Sequence, residues 1–213
     1  MDVDLVWRHI DEQRESLADL VESFTPEQWT TPSLCDGWQV GDVAAHLTLA
    51  QVGPLWAAVE MLRARGSFNR MIRDTALRAA GQEPAVYADR LRAMVGSRRK
   101  APGVSRLEPL TDALVHGQDM AVPLGIDRPV PADAAATAAQ RCYDMGFPFG
   151  ARRRLRGLRL VATDTDWSVG EGSVVEGPVR ALLLLVTGRT SAALPALSGA
   201  TDRLLVDGAS GPA

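Results

Sequence analysis

The segment Leu34-Cys35-Asp36-Gly37-Trp38-Gln39-Val40-Gly41-Asp42-Val43-Ala44-Ala45-His46-Leu47 changes character at its midpoint. Residues 32–38, rich in Pro, Ser, Asp and Gly, read as a loop. From residue 39 to about 50 the spacing predicts a helix that is apolar on nearly every side. Such a helix belongs inside a core rather than on a surface. His46 sits in it. A buried imidazole needs a partner for each ring nitrogen, so His46 reads either as a satisfied core histidine or as a functional one. Trp38, at the end of the loop, reads as a packing anchor or as a pocket-lining residue that contacts substrate.

Helices flank this segment on both sides. Val6, Ile10, Leu17, Leu20, Val21 and Phe24 recur at helical spacing over 2–24. Thr25-Pro26-Glu27-Gln28 has the pattern of a capping box with Pro in the first helical position. Further helices are predicted over 55–65, 68–80, 85–95, 106–123 and 132–145. Several long helices on short links pack most simply as a four-helix bundle with extra pieces. After Phe147-Pro148-Phe149-Gly150 the texture changes. A basic run holds Arg152, Arg153, Arg154 and Arg156. Residues 158–162 then alternate with the period of a strand, 165–169 can return beside them, 176–187 read as a helix ended by Gly188, and 204–206 as a last short strand. The expected fold is mainly α: a helical bundle over 1–148, then a small α+β domain over 149–213.

The chain has 213 residues, 46% hydrophobic and 23% charged, which is enough to bury a core and excludes global disorder, collagen and coiled coil. A net charge of −3 and a pI of about 5.6 argue against a nucleic-acid partner held by bulk charge. Of the 23 basic residues all but Lys100 are Arg, a bias common in GC-rich genomes. The longest apolar run, 181–186, is far too short to span a membrane, and the N-terminus shows no targeting stretch. Two cysteines set far apart, Cys35 and Cys142, suit a reducing compartment. The expectation is a cytoplasmic protein without nucleic-acid or membrane partners, monomeric or homodimeric. Fingerprints of serine hydrolases, P-loop proteins and dinucleotide-binding proteins do not occur.

The sharpest chemical signal lies in Thr111-Asp112-Ala113-Leu114-Val115-His116-Gly117-Gln118-Asp119. Asp112 and His116 are four residues apart, so on a helix their Cβ atoms are about 5–6 Å apart on one face. Glu108 and Asp119 share the stripe. The stripe reads either as a solvated polar face or as part of a metal site. With His46, Asp112 and His116 make a set of two histidines and one carboxylate. Three protein ligands leave an open position, as catalytic metals require. Zinc suits these donors first, and iron(II), nickel and cobalt are also compatible. Asp42 and Asp119 are placed to orient an imidazole, and Asp42 equally suits the first turn of its helix. Cys35 reads as a packing or loop-fixing residue. Arg154, in the basic run, is a candidate for a substrate carboxylate.

The loop and helix quoted at the outset, a C-x-G-W turn followed by D-x-x-x-H-L, resemble the signature of the mycothiol-dependent maleylpyruvate isomerase family in the DinB-like superfamily. Phe24-Thr25-Pro26-Glu27-Gln28-Trp29 echoes the stretch that precedes it. Asp112, His116 and Asp119, followed by Leu124-Gly125, match its second helix motif. Trp167-Ser168-Val169, Glu176-Gly177-Pro178 and the Leu-rich helix resemble its small C-terminal domain. The resemblance implies a DinB-like bundle that holds a divalent metal through His46, Asp112 and His116. Asp112 departs from the pattern, which usually has Glu there, one methylene longer.

The implied chemistry needs mycothiol as cosubstrate. A thiol on the metal is deprotonated, and the thiolate attacks an electrophilic small molecule. Rotation and elimination of the adduct give cis–trans isomerisation; retention of the adduct gives an S-transferase. Two other outcomes fit the same scaffold: hydrolysis by metal-bound water, and a non-catalytic protein that binds metal or a small molecule.

Overall fold

Helix α1, Val3–Glu22, begins at Asp2, whose carboxylate accepts the Leu5 amide at 2.9 Å. Its apolar stripe of Val6, Ile10, Leu17 and Val21 is buried. The short α2, Pro26–Trp29, carries the capping box read from the sequence: the Gln28 amide donates to Thr25 Oγ1 at 3.3 Å, and the Thr25 amide to Gln28 Oε1 at 3.0 Å. In this computed structural model, which describes residues 1–207, five more helices follow: α3 (Val40–Leu47), α4 (Pro54–Arg63), α5 (Phe68–Ala79), α6 (Pro84–Ala93) and α7 (Leu107–Ala121). Helix α1 packs on α6 and α7, and α3 packs on α5, α6 and α7. The mainly α bundle expected from the sequence is therefore present.

Its core gathers Leu17 and Val21 of α1, Val43 and Ala44 of α3, Tyr87 and Leu91 of α6, and Met120 of α7. Tyr87 is fully buried, and its hydroxyl both donates to the Ala79 carbonyl at 2.8 Å and accepts from the Gln82 amide at 3.0 Å. Gly41 lets Trp29 lie against α3, because a Cβ there would stand 2.6 Å from the indole nitrogen.

The chain divides into two compact units, Asp2–Arg128 and the residues from Pro129 onward. The sequence reading set the boundary at 148/149. The division falls earlier because α8, Ala132–Asp144, packs on α10, Val179–Val186, within the C-terminal unit. That unit also holds α9 (Ala151–Arg154), α11 (Thr190–Ala193), α12 (Asp202–Asp207) and the strands β1 (Leu158–Ala162), β2 (Ser168–Gly170), β3 (Ser173–Gly177) and β4 (Ser198–Gly199). The sheet order is β2-β1-β3-β4, with β1 and β3 parallel and both outer pairs antiparallel. Leu160 and Val175, paired across β1 and β3, are both fully buried.

Three local readings are corrected here. Residues 173–177 form a strand, so the helix begins at Val179 rather than Glu176. The β4 strand has no counterpart in the sequence reading. Residues 204–206 lie in helix α12, not a strand. Among the described residues, no helix is long and apolar enough to cross a membrane.

Candidate metal centre

The loop before α3 is built to present two side chains. The Trp38 amide donates to the Cys35 carbonyl at 3.0 Å, and Gly37, two residues into this turn, has φ +72°. A turn with positive φ at that position needs glycine. The Ser33 hydroxyl accepts the Cys35 amide at 3.1 Å and donates to the Trp38 carbonyl at 2.9 Å. The Leu34 amide reaches across to the Asp119 carbonyl at 3.1 Å. The loop is thus pinned both to itself and to α7. Asp42 Oδ2 accepts the Gln39 amide at 2.9 Å, so it caps α3 and does not orient a histidine.

His46, on α3, lies beside His116 of α7, with ring centroids 4.9 Å apart and the rings edge to face. Trp38, 7% exposed, covers the other side, its ring centroid 5.4 Å from that of His46. His46 Nδ1 is buried and has no hydrogen-bond partner. Loss of water, and then the neighbouring His116, push the His46 pKa down to about 3. The imidazole is therefore neutral, the form that binds a metal.

The C-terminal end of the polar stripe on α7 is enclosed. Asp119 is fully buried, and the His116 side chain is 15% exposed. His116 Nδ1–H donates to Asp119 Oδ2 at 2.8 Å. Burial pulls His116 down, but the hydrogen bonds to Asp119 and Cys35 reverse this and hold it up to about 10. That end of the stripe is no solvated face, because the carboxylate and the imidazole on it satisfy each other. With Nδ1 so engaged, Nε2 is left for a ligand, the arrangement in which a carboxylate orients a metal-binding histidine.

The sequence-derived candidates fall into distinct places. His46 and His116 come together. Asp119 lies behind His116. Asp112, one turn before His116, lines a cleft with Arg14, Leu47, Leu91 and Met94. Its carboxylate is not in the close group of donors. Among the described residues, the three side chains whose donor atoms lie within 4.8 Å of one another are Cys35, His116 and Asp119. Cys35 was thus underestimated. Its place in the turn leading to the His46 helix was the available signal. Arg154 lies on the C-terminal end of α10, where its guanidinium donates to the Leu185 carbonyl at 3.0 Å and the Val186 carbonyl at 2.9 Å. It serves as a helix cap rather than as an open fork for a substrate carboxylate. Asp164 serves the other end of α10, accepting the Val179 amide at 2.8 Å.

Residues 10–104 match the family model of the mycothiol maleylpyruvate isomerase N-terminal domain. The match contains the C-x-G-W turn, α3 and His46, but stops before α7. Two crystal structures share the fold, each covering 94% of this chain and 94% of theirs. One is a mycothiol-dependent maleylpyruvate isomerase, with 12% identity and a TM-score of 0.65. The other is a histidine-to-alanine mutant of such an enzyme, with 10% identity and a TM-score of 0.58. Identities this low establish the likeness of fold. No curated protein matches the sequence significantly.

The donors present fit a divalent cation. His46 offers a neutral ring with a buried nitrogen that nothing else satisfies, and an unmet buried polar atom costs about 1–3 kcal/mol. His116 has one nitrogen fixed by a carboxylate and the other to spare.

Proposed function

We propose that the protein is a divalent-metal-dependent enzyme that uses mycothiol to attack an electrophilic small molecule, as an isomerase of the maleylpyruvate isomerase type or as an S-transferase. The observation that carries this reading is the His46–His116 pair, with its buried and unsatisfied His46 nitrogen. The N-terminal match to that family model and the fold shared with a mycothiol-dependent maleylpyruvate isomerase support it.

His46 and His116 would hold the cation, zinc by donor chemistry, and Asp112 would complete the set. A bound divalent cation supplies the means to keep a thiol ionised at neutral pH. Asp119 fixes the ring of His116, so the spare nitrogen keeps one direction. Trp38 shields His46 from water, which strengthens every charge interaction at that ring. The shorter Asp112 supports a second reading, in which the cation is held without turnover.

Metal analysis of tag-free protein is the test, with wild type beside His46→Ala and His116→Ala. Zinc bound by the wild type, with one equivalent lost in His46→Ala and at least one in His116→Ala while their helical circular dichroism persists, is the expected result. Mycothiol-dependent conversion of an electrophile, with the thiol consumed by a transferase and recovered by an isomerase, would then separate the enzyme from the binding protein. Wild type that takes up neither zinc, iron(II), nickel nor cobalt would overturn the proposal.

A further inference from the structure

His116 has two ring nitrogens, and the set proposed above needs only one. Nδ1 lies 2.8 Å from Asp119 Oδ2 and 3.7 Å from Cys35 Sγ, and Sγ lies 3.1 Å from that same carboxylate oxygen. These donors come from the turn before α3 and from α7, which the Leu34–Asp119 backbone hydrogen bond ties together. We infer that Cys35, His116 and Asp119 form a site for a thiophilic divalent cation, distinct from the His46 set and joined to it through the two nitrogens of one imidazole.

The dimensions suit such an ion. Bonds of about 2.3 Å to sulfur and about 2.0–2.1 Å to nitrogen and oxygen, in tetrahedral array, give donor–donor edges of roughly 3.3–3.6 Å. The observed triangle of 2.8, 3.1 and 3.7 Å reaches these edges with shifts of up to about half an ångström. Two hydrogens now hold that triangle: the thiol S–H and the imidazole N–H both point at Asp119 Oδ2. A cation entering in their place releases both as protons to solvent. It leaves a thiolate, a carboxylate and a neutral imidazole that keeps its Nε2 proton; when the His46 set is filled as well, that proton also leaves to solvent and the shared ring bridges the two ions as an imidazolate. The two anionic donors cancel a doubly charged ion.

This balance matters most at Asp119, which is fully buried, because a carboxylate out of water persists only when its charge is compensated. Sulfur in the set selects for zinc, cobalt or cadmium over magnesium or calcium. Three protein donors leave a fourth position, and Cys35 is only half-buried, so a water molecule has a way in.

Cobalt(II) titration of the full-length protein, followed by absorption, tests the site, because thiolate bound to cobalt(II) gives a near-ultraviolet charge-transfer band that histidine and carboxylate do not. The wild type should show the band. It should survive in Cys142→Ser, which removes the other cysteine, and in His46→Ala, which disables only the first set. It should vanish in Cys35→Ser, and Asp119→Asn should weaken cobalt binding at least tenfold. A band that survives Cys35→Ser overturns the inference. So does cobalt uptake without a band; if that uptake depends on His46, the proposed function stands while this site falls. Absence of cobalt uptake by the wild type overturns both.

Discussion

Helices α7 and α10 are both enclosed on nearly every side, yet they use enclosure for opposite ends. Helix α10 is Val-Arg-Ala-Leu-Leu-Leu-Leu-Val, and every residue of it except Arg180 is buried. Its polar obligations sit at its ends, where Asp164 takes the first amide and Arg154 the last carbonyls. Helix α7 buries Thr111, Gln118 and Asp119 along with its leucines, and keeps His116 mostly enclosed. Each buried polar group must find a partner or cost stability. On α7 two of them find specific partners, Asp119 for His116 and the Arg128 carbonyl for Gln118, while the Thr111 hydroxyl finds none. Apolar burial contributes stability and nothing more. Buried polarity, once its internal partners are counted, leaves nitrogens that point at something still to arrive.

Substitutions can break this contrast or sharpen it. The largest effect should come from Leu182→Ala on α10, a fully buried position. It should cost about 2–5 kcal/mol in chemical denaturation, as a leucine cavity does. On α7, Asp119→Asn should leave the fold in place and weaken zinc binding by about 10–100-fold, the usual effect of losing a carboxylate behind a metal-binding histidine. Calorimetric titration would measure it, and an unchanged affinity would show that the carboxylate is structural only.

The sign of the pH dependence follows from the same pair. His116 is held up to about 10 without metal, and His46 is already neutral. A cation must therefore displace a proton from His116 alone at that set. Zinc affinity should rise with pH through the neutral range, with a proton released to buffer. Asp119→Asn should flatten that rise, since it removes the charge that holds the proton.

Smaller effects should follow. Gln118→Leu removes the donor to the Arg128 carbonyl and should cost about 1–3 kcal/mol in urea unfolding. Thr187→Val, at the end of α10, removes a hydroxyl that donates to the Leu183 and Leu184 carbonyls and should cost roughly 1 kcal/mol or less. If Gln118→Leu proved the milder of the two, the contrast between the helices would fail.

Local signals in the sequence carried much of this. The stripe of α1, the Thr25–Gln28 capping box and the bounds of α7 depend on neighbours within a few residues, and a sequence exposes those directly. The strand at 173–177 did not show, because its main partner is β1, in parallel pairing, and nothing in Ser-Val-Val-Glu-Gly states that. Helix α8 read correctly as a helix, but which unit it joins depends on α10. The basic run at 152–156 announced charge without saying that Arg154 meets carbonyl oxygens. At the metal centre, periodicity placed Asp112, His116 and Asp119 on one face without saying what that face meets. His46 joined them through donor chemistry, as the second histidine of a two-histidine, one-carboxylate set, and the family resemblance agreed. Cys35 lies 84 residues from Asp119, and no pattern of spacing reaches that far.

The bond from the Leu34 amide to the Asp119 carbonyl closes a long loop in the chain. Local fraying cannot open it, because both ends belong to packed segments. Its hydrogen should exchange with solvent only through large-scale unfolding. The donor cluster is then a late product of folding, assembled when α3 and α7 dock and lost when they part. Any ion captured there would act as a latch on the whole N-terminal unit, slowing its turnover by proteases even when no substrate is present.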